Sequence, residues 1–152
     1  MLTSPDFKEL LSLFKKHSVR YLVVGAYAVM KYTEPRFTKD LDLWIAIDRE
    51  NAEAVYGALK EFGAPLLNLT PEDFTQRGYF YQMGSAPMRV DIMMSIPGVE
   101  FEYAWKRRVE VDLEEIPMPF ISREDLIQSK EASGRPQDLI DIENLRKMEG
   151  VK

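Results

Sequence analysis

Residues 40–47 read Asp40-Leu41-Asp42-Leu43-Trp44-Ile45-Ala46-Ile47. Leu41, Leu43, Ile45 and Ile47 recur at every second position, the period of a half-buried β-strand. Asp40 and Asp42 therefore share the opposite face, about 6.6–7 Å apart along the backbone. Two like charges that close repel, and aspartate is a poor strand former. A divalent cation held between them would remove the penalty and become the largest local charge. Acids at a solvent-facing strand edge, where they block edge-to-edge pairing, are the other explanation. The eight residues alone allow both.

The flanking sequence adds material to that face. Upstream, Tyr21-Leu22-Val23-Val24 is a short apolar run, as expected of a buried strand, and it ends at Gly25. Residues 26–32 have helix-forming composition, so backbone N–H groups at that helix start, including that of Ala26, can receive an anion. Pro35 keeps the next segment in a loop. That loop places Arg36 and Thr38 just ahead of the acid pair, where they can contact a phosphate. Downstream, Asp91 interrupts the apolar strand MRVDIMMSI. Val90 and Ile92 face one way, so Asp91 shares its face with Arg89, Met93 and Ser95. An acid there needs a partner such as Arg89 or a lysine, or a metal ion.

The remaining elements are placed by periodicity and punctuation. Residues 5–17 form an amphipathic helix around Leu10, Leu11 and Phe14, with Lys15, Lys16 and His17 in its last turn, where cations suit the helix dipole. Residues 49–62 form a second such helix, ended by Gly63 and Pro65. Strands at 78–83 and 87–96 make a hairpin around residues 84–87. A short helix near 100–106 and strands at 108–113 and 115–120 follow, and helices at 122–133 and 136–149 close the chain, the last with Pro136 in its first turn. Strands and helices in this mixture predict an α+β fold, a mixed β-sheet flanked by helices with a C-terminal helix pair. A length of 152 residues predicts one domain over 1–152.

Composition narrows the chemistry. There is no cysteine, which removes disulfides, thiolate zinc sites and a Cys nucleophile, and the single histidine, His17, leaves almost no material for Ser-His-Asp chemistry or multi-His metal sites. A metal must then be held by carboxylates, which favour hard ions such as Mg²⁺, Ca²⁺ or Mn²⁺. The start lacks a signal-peptide pattern and no apolar run approaches bilayer length, so a cytoplasmic protein without membrane contact is expected. The net charge of −5 argues against strong nonspecific nucleic-acid binding. Tyr79, Phe80, Tyr81, Tyr103 and Trp105 can stack on bases, although core packing more often explains such aromatics.

Taken together, Val23 to Ala28, the block Pro35-Arg36-Phe37-Thr38-Lys39-Asp40-Leu41-Asp42-Leu43-Trp44, then Arg89-Val90-Asp91 and the closing segment from Lys130 to Asp141 resemble the nucleotidyltransferase superfamily. The pattern looks closest to the small prokaryotic branch related to AbiEii-type toxins. The resemblance spans roughly residues 20–145. It implies that Asp40, Asp42 and Asp91 are the catalytic acids and hold two Mg²⁺ ions, with Mn²⁺ as the substitute. It implies that Gly25 and Ala26 hold an NTP triphosphate, with Lys130 and Arg135 facing the nucleotide. Asp138 and Asp141 match acids of the closing motif; a helix-surface charge cluster is the other reading of that pair. Most of the superfamily carries Gly-Ser or Gly-Gly at the phosphate turn, and Gly25-Ala26 keeps the backbone donor while lacking the hydroxyl. The implied activity is transfer of a nucleoside monophosphate from an NTP to an acceptor hydroxyl, such as one on RNA or protein, in a toxin-like setting with an antitoxin partner. A non-catalytic fold that binds nucleotide or partner, and a metal-dependent nuclease, are the competing readings.

Overall fold

The computed structural model describes residues 5–34, 40–85, 88–113 and 115–147. Arg36 and Thr38 lie outside the described residues, as does the tip of the hairpin at 86–87. Helix α1 (Pro5–Lys16) leads into β1 (Tyr21–Val24), α2 (Gly25–Tyr32), β2 (Asp40–Ile45) and α3 (Arg49–Phe62). A 3-10 turn at Pro71–Thr75 precedes the hairpin β3 (Phe80–Ser85) and β4 (Met88–Met93). Then come α4 (Phe101–Lys106), β5 (Val109–Leu113), β6 (Ile116–Phe120), α5 (Arg123–Ser133) and α6 (Pro136–Lys147). The six-stranded sheet has the order β3-β4-β2-β1-β6-β5. It is mixed: β2 runs parallel to β4 and antiparallel to β1, and β6 runs parallel to β1. The α+β expectation holds.

Local chemistry explains the boundaries. Asp48 caps α3 by accepting the Asn51 N–H at 3.1 Å, so the chain leaves the sheet after Ile45 and residues 46 and 47 of the predicted strand fall outside β2. Ser122 caps α5 in the same way, accepting the Asp125 N–H at 3.1 Å. Strand β4 ends at Met93 rather than at residue 96, because the chain bends at Met94 and forms an isolated bridge between Ile96 and Val99. His17 falls just past α1, with Nε2 2.9 Å from Glu61 of α3.

Two faces of the sheet are buried for different reasons. Leu41, Leu43, Val90 and Ile92 point to the side where Phe7, Leu10, Leu11 and Phe14 of α1 and Val55 and Leu59 of α3 complete an apolar core. The opposite face carries Asp40, Asp42 and Trp44. Its polar character stops at Trp44, which is only 2% exposed and meets Phe101 of α4 edge-to-face at 5.1 Å. Beside it, α2, α5 and α6 gather at the Asp42 end. The sheet thus offers a carboxylate-bearing patch bounded on one side by an aromatic wall and on the other by the C-terminal helix pair. Among the described residues no helix is long and apolar enough to cross a membrane.

Candidate active site

Strand pairing decides which acids meet. In the parallel β2/β4 ladder Asp42 stands directly opposite Asp91, and Asp40 opposite Arg89. On the other side of β2, Asp42 is opposite Val24, the last residue before Gly25. Three segments distant in sequence are therefore neighbours at one point of the sheet. Neighbouring strands lie about 4.8 Å apart, so the two carboxylates are forced into contact.

The electrostatics follow from that geometry. Burial, the charge of Asp91, a hydrogen bond with Asp91 and the charge of Asp40 together raise the Asp42 carboxyl to about 7, with Arg89 opposing only part of the rise. Arg89 is a cation at the cluster. Its Nη2 lies 2.8 Å from Asp40 Oδ2, and its Nε lies 3.6 Å from Asp91 Oδ1. Both of those last two atoms are buried without a hydrogen-bond partner. An uncompensated carboxylate oxygen beside a second buried carboxylate is the environment a hard divalent cation suits. Asp42 and Asp91 fit such an ion. Among the described residues no three acids or histidines are already gathered as ligands; Asp40 lies within hydrogen-bond distance of Arg89.

Gly25 has a steric duty that its sequence context did not disclose. It sits at φ +70°, and a Cβ there would overlap Asp42 Oδ2 and come within 2.9 Å of Asp42 Cγ. Only glycine lets the turn and the carboxylate approach this closely. Helix α2 has no side-chain cap at its start, which leaves its first N–H groups to another acceptor.

A cleft of about 330 Å³ opens over this point, lined among others by Gly25, Asp42, Ser129, Lys130, Arg135 and Asp138. Lys130 and Arg135 both line this cleft, and both are engaged. Lys130 Nζ lies 3.2 Å from Asp138 Oδ1 and 3.0 Å from Asp141 Oδ2. Arg135 donates from Nε to Asp138 Oδ2 at 2.9 Å, although its side chain is 74% exposed. Asp138 and Asp141 are buried, which removes the surface-cluster reading of that pair. Burial works against ionisation of Asp138, but hydrogen bonds from Arg135, Ser133 and Lys130 win and hold it well below the ordinary carboxylate range. A larger depression of about 500 Å³ lies beyond Trp44. There Glu102 and Asp48 are matched by Arg20 and Glu100 by Arg77, so it lacks the uncompensated charge found at Asp42. Of the aromatics singled out earlier, Tyr79, Phe80 and Tyr103 are exposed and Tyr81 and Trp105 pack partly against the core.

The fold is that of nucleotidyltransferases. It is shared with the lincosamide antibiotic adenylyltransferase LnuA in its lincomycin-bound crystal structure (TM-score 0.61, 18% identity, 97% of this chain and 98% of that one). It is also shared with ANT(2")-Ia in complex with adenylyl-2"-tobramycin (0.60, 12%, 95% and 87%). An antigenic nucleotidyltransferase-like protein from Paracoccidioides brasiliensis is similar as well (0.52, 14%, 93% and 75%). Residues 6–149 match the model of one family, and the chain belongs to it: Nucleotidyltransferase of unknown function (DUF6036). No curated protein matches the sequence significantly.

Proposed function

We propose that this chain transfers a nucleoside monophosphate from an NTP to an acceptor hydroxyl, with divalent metal bound at Asp42, Asp91 and Asp40. The observation that carries this reading is the side-by-side placement of Asp42 and Asp91 beneath the turn at Gly25. Magnesium, when bound, would supply charge to the phosphates and to the pyrophosphate leaving group. The protein's own groups do the rest. The uncapped start of α2, from Gly25 to Ala26, receives phosphate oxygens through backbone N–H donors. Arg135, largely exposed at the cleft, offers its remaining donors to the nucleotide, while Lys130 fixes the wall behind it. The acceptor oxygen bonds to the α-phosphorus as the bond to pyrophosphate breaks, and Asp91 takes the acceptor proton. Arg36 and Thr38 are assigned to the triphosphate on sequence grounds alone.

The similar structures named above include enzymes that adenylylate antibiotics, so a small hydroxylated molecule joins RNA and protein as an acceptor class. A toxin-like role with an antitoxin is the narrower form of the RNA or protein case. The engagement of Asp40 by Arg89, together with alanine after Gly25, favours a second reading in which the fold binds nucleotide without transferring it.

Purified protein with Mg²⁺ and each α-labelled NTP, supplied with total RNA, cell-extract protein or hydroxylated antibiotics, separates these readings. Label on one acceptor, lost in Asp42→Ala and Asp91→Ala variants that remain folded, is the expected result. An NTP-dependent rise in Tm with no label on any acceptor supports binding alone. Mononucleotides released from RNA identify a phosphodiesterase.

A further inference from the structure

The carboxylate cluster already contains a cation of its own. Arg89 is two residues before Asp91 on the same face of β4 and directly opposite Asp40 on β2. Its guanidinium therefore spans two of the three candidate ligands. The span is incomplete: Nη2 reaches Asp40 at 2.8 Å, whereas Nε stops 3.6 Å short of Asp91 Oδ1, and both of those facing atoms are left without a hydrogen bond. Lys130 and Arg135, by contrast, both meet Asp138 within hydrogen-bond distance. Asp42, the third member, has no ion pair with Arg89 among the described residues.

We infer that Arg89 is a resident counter-ion that holds Asp40 and part-neutralises Asp91 while metal is absent, and that it releases Asp40 when a divalent cation binds. The inference rests on the metal-binding reading above but not on nucleotidyl transfer. Its physical content is competition. A guanidinium and a divalent ion seek the same carboxylate oxygens, and the pair is partly exposed, with side chains 37% and 33% accessible. Such a pair is weak enough to be exchanged, yet its charge opposes an incoming cation. Arg89 is thereby a positioning residue: it holds Asp40 before metal binds and sets how much metal is needed to assemble the site.

The test is Mn²⁺ binding, followed by calorimetry and by the electron paramagnetic resonance of the free ion, with no nucleotide or acceptor present. Arg89→Gln should bind Mn²⁺ more tightly than wild type, on the order of tenfold. Arg89→Lys, which keeps the charge but not the second nitrogen, should fall between them. The Tm deficit of Arg89→Gln without metal should vanish at saturating Mn²⁺. Unchanged or weaker Mn²⁺ binding in Arg89→Gln overturns the inference and leaves the metal site standing. No binding to wild type at millimolar Mn²⁺ removes both. Should either variant fail to fold, ¹⁵N spectra of the wild-type Arg89 Nε–H during Mg²⁺ titration decide the matter. A resonance that shifts and gains solvent exchange as metal saturates is expected; one that does not change overturns the release.

Discussion

Two pairs of carboxylates lie close to the same cleft, and they have opposite electrostatics. Asp138 and Asp141 on α6 are each 1% exposed, yet Lys130 bridges both, Arg135 binds the first and Gln137 donates to the second at 3.0 Å. Asp42 and Asp91 on the strands are less deeply buried but have only the imperfect help of Arg89. One carboxyl is therefore held low and the other is raised to about 7. Burial alone does not predict the direction; the number and placement of cations does. The helix pair has its cations in place and fixes a wall. The strand pair is short of positive charge, which is the condition of a site awaiting a ligand.

The largest effect should come from damaging the helix pair. Lys130→Met leaves two buried carboxylates without their shared cation and should cost about 3–5 kcal/mol, read from urea unfolding. A loss under about 1 kcal/mol would mean that the helix pair is not held by charge. Next, Gly25→Ala should destabilise the fold by roughly 2 kcal/mol or more, because alanine is strained at this positive φ and its methyl overlaps Asp42. It should also lower metal affinity, since Asp42 must move; unaltered Mn²⁺ binding would show that Asp42 is not a ligand.

Titration sharpens the contrast further. Because folding raises the Asp42 carboxyl to about 7, the folded state holds an extra proton between roughly pH 4 and 7. Its contribution to metal-free stability is full below about pH 4 and is lost as pH rises through 7. Asp138 works in reverse: its contribution is present above the ordinary carboxylate value and is lost as pH falls below it. Urea midpoints measured from pH 5 to 8 should therefore decline in wild type and decline less in Asp42→Asn. An identical slope in both would refute the assignment. The smallest change is expected for Arg135→Ala. Its side chain is largely exposed and Lys130 still neutralises Asp138, so the loss should stay within about 1 kcal/mol, while NTP affinity falls. Nucleotide binding equal to wild type would remove Arg135 from the site.

Much of this was legible in the chain. The alternation of Asp40 and Asp42 with leucines depends only on the two-residue period of a strand, and Asp91 stands out because its neighbours are apolar. The α+β class followed from the mixture of short strands and capped helices. The pairing of Asp42 with Asp91 was not legible, because it depends on the register between strands 49 residues apart. Nor was the duty of Gly25, which sequence reading credits to phosphate alone and which the structure ties to Asp42 as well. Lys130 reads as a free basic group until α6 is folded against α5 and supplies its two acids. Trp44 shows the limit of periodicity: it shares the face of Asp42, but α4 covers it and ends the polar stripe.

The absent methyl at residue 25 acts like a keyhole cut to the size of one carboxylate oxygen. Loop and strand are thereby geared together, so that neither can shift without the other. Evolution would then have to treat the two positions as a unit: a relative that has lost its acid at the position of Asp42 is freed from most of the demand for glycine. Surveying pairs of residues at these two positions would distinguish working members of such a lineage from those retired to binding alone.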